Sequence, residues 1–298
     1  MAYTFECPTR WADMDAYRHL NNASYVSFLQ EARVDFLHSG DFAYMLGDEP
    51  LPGQDGPNPN AILVTGHQVE YVRAAEYGSP VQVRLAVDRL GAARFTLAYD
   101  LISDGHLIAR ARTVLCPFDL ETNKIRRLSA REKEWFEGYA EPVDPLPTVS
   151  RVRIGNHAAV DYPLQVRWGD LDSYRHANNV HYFTYVQEAR VALLRGLAEG
   201  RPADGESPGQ WMVVRQDMEY AVQLDFRREP YLVRTAVQRL GATSLTLAAE
   251  IIDPLTGTLH ASSRTVLVHA GASGATPLPE WLRSAVAPWR LDTERVGH

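Results

Sequence analysis

The chain states one motif twice. Arg10-Trp11-Ala12-Asp13-Met14-Asp15-Ala16-Tyr17-Arg18-His19-Leu20-Asn21-Asn22 returns as Arg167-Trp168-Gly169-Asp170-Leu171-Asp172-Ser173-Tyr174-Arg175-His176-Ala177-Asn178-Asn179. Between Arg10–Val34 and Arg167–Val191, 15 of 25 positions are identical, among them every acid, the histidine, both asparagines and a Gln-Glu-Ala-Arg-Val run. Compositional bias does not return acids, an imidazole and amides to the same places. The chain is a tandem duplication, and each copy must fold on the same plan.

Halving 298 residues gives about 149 per copy, enough for one hydrophobic core each. The offset between copies is 157 at Trp11/Trp168, 149 at Tyr71/Tyr220, 150 at Gly91/Gly241 and 152 at Arg112/Arg264, so they stay in register. The largest change falls after the motif segment, where the first copy carries a Pro/Gly-rich stretch across residues 47–60 and the second a shorter one; insertions of this kind concentrate in loops. That loop is read as a passive connector or as a cover over one pocket. Glu141-Pro142-Val143-Asp144-Pro145-Leu146-Pro147 has too many prolines for a helix or central strand. The expected layout is a first domain at 1–140, a Pro-rich linker at 141–160 and a second domain at 161–298.

Within each copy the order is a short strand, the motif loop, one long helix, several long strands and a terminal helical segment, which is the α+β class. Tyr25, Phe28, Leu29, Ala32 and Phe36 lie at helical spacing, and Tyr182, Tyr185, Val186, Ala189 and Leu193 repeat it, so one stripe faces a core. Strands are predicted at Ile62–Val64, Gln68–Val72, Val81–Val87, Phe95–Tyr99 and Arg110–Leu115, where residues alternate or run apolar. No apolar run approaches the ~20 residues needed to cross a bilayer, so no membrane partner is expected. Met1–Cys7 lacks a basic segment followed by an apolar one and does not read as a signal peptide; a cytoplasmic location is expected. Cys7 and Cys116 have neither a CxxC nor a His-rich neighbourhood, which predicts reduced, buried thiols and no metal site. A net charge of -7 argues against nucleic acid as a partner, since backbone binding relies on clustered cations.

A helix packed by one stripe on a curved antiparallel sheet, preceded by Trp-x-Asp-x-Asp-x-Tyr-x-His-x-Asn-Asn-x-x-Tyr, resembles the hotdog fold, and within it the 4-hydroxybenzoyl-CoA thioesterase-like acyl-CoA thioesterases. The resemblance covers nearly the whole chain as two tandem hotdog domains, each a curved sheet wrapped around one long central helix. It implies a thioester hydrolase that splits acyl-CoA into free acid and coenzyme A, with coenzyme A present only as part of the substrate and no metal or redox cofactor. It also implies that the two domains pair within the chain, with further association to a homodimer. The family usually places a glycine just before the motif histidine, where this chain has Arg18 and Arg175.

A thioester has an electrophilic carbonyl and a good leaving group, a thiol of pKa near ~8.5. Its hydrolysis needs a carboxylate to attack or to deprotonate water, and donors where the oxyanion develops. The resemblance places the carboxylate at Asp15 and Asp172, as nucleophile or general base. It assigns oxyanion and substrate positioning to His19, Asn21, Asn22 and Tyr25, and to His176, Asn178, Asn179 and Tyr182, near the amides at the helix start. Structural readings stand beside these: Asp13 and Asp170 as Asx-turn acids, His19 and His176 as loop locks, and one asparagine of each pair as a helix cap. Glu31 and Glu188 are read as structural contacts, although another hotdog branch uses a helical carboxylate. Coenzyme A phosphates require cations. Arg18 and Arg175 are the candidates beside the motif, while Arg126-Arg127 and Arg227-Arg228 are read first as solvated surface. Two other readings remain: an acyl-carrier-protein thioesterase, and a non-catalytic acyl-CoA-binding protein.

Overall fold

The computed structural model describes residues 1–47, 58–147, 153–201, 210–271 and 274–291. The chain divides into two compact units, Met1–Pro147 and Thr148–His298. Between the motif helix and the next long strand, residues 48–57 and 202–209 lie outside the described residues, and with them most of the 47–60 loop.

In the first unit the elements are β1 (Tyr3–Cys7), α1 (Ser24–Ser39), β2 (Asn60–Tyr71), β3 (Val81–Leu90), β4 (Phe95–Ser103), β5 (His106–Asp119), β6 (Lys124–Ile125) and α2 (Ala130–Gly138). The second unit repeats them as β7 (Val160–Leu164), α3 (His181–Glu199), β8 (Gln210–Tyr220), β9 (Tyr231–Leu240), β10 (Ser244–Ile252), β11 (Leu259–Gly271), β12 (Gly274–Ala275) and α4 (Glu280–Val286). All pairings between the long strands of a unit are antiparallel, in the order β1-β3-β4-β5-β2 and then β7-β9-β10-β11-β8.

Alternation builds the sheets. In β3, Val81, Val83, Leu85 and Val87 are buried while Gln82 and Arg84 face out, as period-2 side-chain direction requires. The sheets also carry register shifts: between Val64 and Gly66 in β2, between Val87 and Arg89 in β3, and near Thr246 and Val266 in the second unit. An extra residue bends the strand and increases twist, which lets a five-stranded sheet curve around a helix. The predicted strands at 62–64 and 68–72 are one strand, because the Thr65-Gly66 step is a bulge and not a turn.

Both helices bury the predicted stripe. α1 buries Tyr25, Phe28, Leu29, Ala32 and Phe36, and α3 buries Tyr182, Tyr185, Val186, Ala189 and Leu193. Each apolar side chain of this kind contributes about 1.5–3 kcal/mol when removed from water. The far ends of the helices are filled differently. Phe36 stacks on Trp135 at 4.3 Å and meets Tyr139 edge-on at 4.9 Å, and Trp135 also covers Phe42 at 4.6 Å. Gly40, just past α1, admits this arrangement, since a Cβ there would overlap the Trp135 indole. In the second unit the same place holds Leu193, Leu197, Leu245, Leu278, Leu282 and Val286.

The terminal helices differ likewise. Glu132 and Ser129 form a reciprocal capping box on α2, and Arg126 grips Glu132 through Nη1 at 2.9 Å and Nη2 at 2.7 Å. α4 follows Pro279 with no side-chain cap, and Leu282 stands where Glu132 does. Part of the stretch read as linker is packed: Ile154 is fully buried, its amide donates to Glu250 Oε1 at 3.1 Å, and Val160 already begins β7. Cys116 is buried and Cys7 half-buried, both unpaired.

Candidate active site

Each motif folds as a short 3-10 turn, at Trp11–Asp13 and Trp168–Asp170, followed by a tight loop that delivers the chain to the long helix. Asp13 Oδ2 accepts the Arg10 amide at 2.7 Å, and Asp170 Oδ2 accepts the Arg167 amide at 2.8 Å. These acids close the 3-10 turn by reaching back three residues, as the last member of a capping box does; the Asx turns expected of them are made by Asp15 and Asp172 instead.

Asp15 and Asp172 organise the next turn. Asp15 Oδ1 accepts the amides of Tyr17 at 2.8 Å and His19 at 3.0 Å, and Asp172 Oδ1 accepts those of Tyr174 at 2.9 Å and His176 at 3.2 Å. The Asp15 amide returns to the His19 carbonyl at 2.7 Å, and the Asp172 amide to that of His176 at 2.9 Å. A loop this tight turns through a left-handed residue. Arg18 has φ 64° and Arg175 has φ 66°, a conformation that costs a residue with a Cβ and costs glycine nothing. The glycine expected before the histidine is thus a backbone requirement, which this chain meets twice with arginine.

Asn21 shapes the approach to the helix. Its Oδ1 accepts the Ala23 amide at 2.9 Å and its carbonyl the Ser24 amide at 2.9 Å; Asn178 does the same for Val180 at 3.2 Å and His181 at 3.0 Å. Each asparagine is therefore an Asx turn leading into the helix, while the N-cap positions themselves, Ala23 and Val180, carry no side-chain cap, contrary to the expected asparagine cap. The carbonyl of Asn22 accepts the Tyr71 hydroxyl at 2.8 Å, and that of Asn179 the Tyr220 hydroxyl at 2.8 Å, pinning the helix start to β2 and to β8.

Tyr25 and Tyr182 sit beneath the loops, each 2% exposed, with rings edge-on to Tyr71 and Tyr220 at 5.1 and 5.0 Å. The Tyr182 hydroxyl accepts the Leu224 amide at 2.9 Å. Burial pushes both phenols well above the ordinary tyrosine range, with the nearby Asp15 and Asp172 charges acting in the same direction. They stay protonated and hold the segment on which the histidines rest. That segment pairs with the loop: His19 bridges to Glu76 and His176 to Asp225.

The histidine side chains meet different neighbours. His176 Nε2 lies 3.0 Å from Gln223 Nε2 and 3.8 Å from Asp225. The amide nitrogen donates, so this imidazole carries its proton on Nδ1 when neutral. At the position of Gln223 the first unit has Ala74, and Glu76 stands for Asp225. Asp170 gains a further tie, since the Tyr185 hydroxyl donates to its Oδ2 at 2.7 Å, whereas Phe28 occupies that helix position in the first unit. Gln223 and Tyr185 were not among the sequence candidates. The signal that reveals them is the mismatch between copies at positions flanking an otherwise identical motif.

Other candidates lie elsewhere. Glu31 and Glu188 are exposed. Neither Arg126 nor Arg227 is a solvated surface arginine: Arg126 is committed to Glu132, and Arg227 pairs with Asp253 through two bonds of 2.7 and 3.1 Å while lying 3.7 Å over the Tyr231 ring. Both are occupied scaffold cations, which leaves the exposed Arg18 and Arg175 as the motif-adjacent candidates for an anion. Among the described residues no helix is long and apolar enough to cross a membrane.

The model of the thioesterase-like superfamily matches residues 9–137 and 166–286, one match on each unit. The long-chain acyl-CoA thioesterase FadM of Escherichia coli (strain K12) is 28% identical over 127 residues, 42% of this chain and 89% of that protein, so it corresponds to one copy. Two solved structures align with both copies. An acyl-ACP thioesterase from Bacteroides thetaiotaomicron covers 89% of this chain and 97% of its own, with TM-score 0.67 and 13% identity. The 12:0-ACP thioesterase from Umbellularia californica covers 90% and 97%, with TM-score 0.68 and 14% identity. At such identities these two structures bear on the fold alone. With the family matched across both repeats, and each repeat wrapping a sheet around one long helix behind the same Asp-His-Asn loop, the chain belongs to the thioesterase-like superfamily as a thioester hydrolase of tandem hotdog architecture.

Proposed function

We propose that the chain hydrolyses acyl-CoA, with Asp15 and Asp172 as the reacting carboxylates of two equivalent loops. The observation that carries this reading is the division of labour within each carboxylate. Oδ1 takes both backbone bonds of the loop, and among the described residues no protein donor holds Oδ2. The group is therefore fixed in orientation yet retains a basic oxygen, half-buried beside the start of a long helix.

Acting as general base, Oδ2 removes a proton from water as its oxygen adds to the thioester carbonyl; the tetrahedral intermediate then expels the coenzyme A thiolate. Acting as nucleophile, it forms a mixed anhydride that water opens, again releasing thiolate first. The positive end of the helix dipole favours the oxyanion in either route. Asn22 and Asn179, just ahead of the helix starts, are the residues assigned to the carbonyl, and His19 and His176 flank the same loop.

Thiol release measured with acyl-CoA substrates of short, medium, long and aromatic acyl groups, beside the same acyl groups on a carrier protein, tests the reading. Turnover of acyl-CoA with the higher kcat/KM is expected. Turnover confined to the carrier-linked acyl group, or to neither, overturns it.

A further inference from the structure

Each motif opens with a tryptophan that is almost wholly out in solvent. Trp11 is 75% exposed and Trp168 74%. Neither is solitary. Trp11 meets Tyr77, itself 53% exposed, edge-on at 5.5 Å, and Trp168 meets Phe226, 47% exposed, edge-on at 5.5 Å. The two doublets arise from separate halves of the chain, and the partner ring changes from tyrosine to phenylalanine while the geometry stays. An exposed aromatic pair contributes little to a core, so its repetition points outward.

The third member is the strained arginine. His19 bridges to Glu76 and His176 to Asp225 in antiparallel register, so the next positions outward are Arg18 beside Tyr77 and Arg175 beside Phe226. Both arginines are exposed, and among the described residues neither side chain has a hydrogen-bond or ion-pair partner; only their amides are tied, to the Asp15 and Asp172 carbonyls at 3.1 and 3.0 Å. Both hold φ near +65°, where glycine would relieve strain. A backbone cost borne twice, without an internal side-chain hydrogen bond or ion pair in return, is explained by what the side chain meets in solution.

We infer that each Trp-aromatic-Arg cluster is a nucleotide subsite: the rings take the adenine base and the arginine takes a phosphate of coenzyme A. The inference rests on the acyl-CoA reading above and adds the surface that separates coenzyme A from a carrier protein, which brings no nucleobase. A planar, polarisable base with an adjoining phosphate matches rings beside a guanidinium, since stacking tolerates any flat π-face and arginine pairs well with phosphate oxygens. Trp11 and Asp15 are four residues apart in sequence, at most about 14 Å of extended chain, so one long ligand reaches both the rings and the carboxylate. The cluster is also small, two rings and one cation, whereas a stable protein partner covers about 800 Å² on each side.

The test compares acyl-CoA with the same acyl group on pantetheine, which keeps the thioester and lacks the nucleotide. In full-length Trp11→Ala/Trp168→Ala the KM for acyl-CoA is expected to rise about tenfold with kcat little changed, while kinetics on acyl-pantetheine stay within about twofold. Trp11→Phe/Trp168→Phe restores most of the affinity. Arg18→Gly/Arg175→Gly raises the melting temperature and raises the KM for acyl-CoA, a combination a purely structural arginine would not give. Adenosine 3′,5′-bisphosphate quenches tryptophan fluorescence in the wild type and not in the Trp→Ala protein. Unchanged acyl-CoA kinetics in the Trp→Ala protein overturn the subsite. So does conversion of an oligomer to a smaller species without a change in KM, which makes the rings an interface between copies. Failure of the parent reading looks different: neither acyl-CoA nor acyl-pantetheine is turned over by the wild type.

Discussion

The two motif loops share a backbone and differ in what secures their side chains. In both, Asp Oδ1 gathers the same two amides, the residue before the histidine turns left-handed, and the first asparagine of the pair closes an Asx turn ahead of the helix. Around the second loop Gln223 holds the imidazole and Tyr185 holds Asp170; around the first, Ala74 and Phe28 hold neither. The motif is thus sufficient to shape the loop, while the rigidity of its side chains is set by residues outside it. The scaffolds diverge in the same way, one closed by stacked aromatics and an ion-paired cap, the other by leucines.

The largest effects on stability are expected where the scaffolds differ most. Phe36→Ala removes a ring packed against four aromatic neighbours and is expected to cost about 3–5 kcal/mol, lowering the transition of the first unit by roughly 10 °C. Leu193→Ala, at the matching place in α3, leaves a smaller cavity and is expected to cost less. Calorimetry resolves the two, and equal losses would remove the distinction between the cores.

A second contrast concerns acid. Burial alone raises the Glu132 carboxyl, but the bonds and charge of Arg126 and the bond from the Ser129 amide outweigh it and hold the group below the ordinary glutamate range. A carboxyl lowered in the folded state stabilises at pH values above its unfolded pKa, and that contribution disappears as pH falls through the folded value. The first unit is therefore expected to lose stability below about pH 4 through this group; the second has Leu282 there, and its acid response falls instead on Asp253, which the Arg227 bonds also hold below the ordinary aspartate range. Glu132→Gln should flatten that acid limb; an unaltered limb would assign the loss to other carboxylates.

The smallest effect sharpens the comparison of loops. Gln223→Ala is expected to change the rate of the second site by about two- to fivefold and to alter the tautomer signature of the His176 ring nitrogens in 15N spectra. Ala74→Gln should bring the His19 signals toward those of His176. Identical spectra in all three proteins would show that Gln223 does not position the imidazole.

The duplication and the helical stripes were legible because they depend on local spacing, whereas the Asx turn falls on the second acid of each Asp-x-Asp and not on the first, where it was expected. Continuity of β2 was not, since a bulge at Thr65-Gly66 reads as an interruption when only alternation is visible. The roles of Arg126 and Arg227 were hidden for a different reason: their partners, Glu132 and Asp253, meet them only after folding. Arg18 and Arg175 lie between these cases. The family glycine they replace set the position apart, and the structure supplies the reason, a left-handed φ.

Asparagine at the two reacting positions tests the central claim most directly, because its side-chain carbonyl still accepts the loop amides while losing the basic oxygen. Thiol release from acyl-CoA is expected to fall to roughly half in Asp15→Asn and in Asp172→Asn, and at least about 100-fold in the double variant, with melting unchanged. A double variant that folds normally and keeps the wild-type rate would contradict the account, and the repeated carboxylate would then be a loop fastener only.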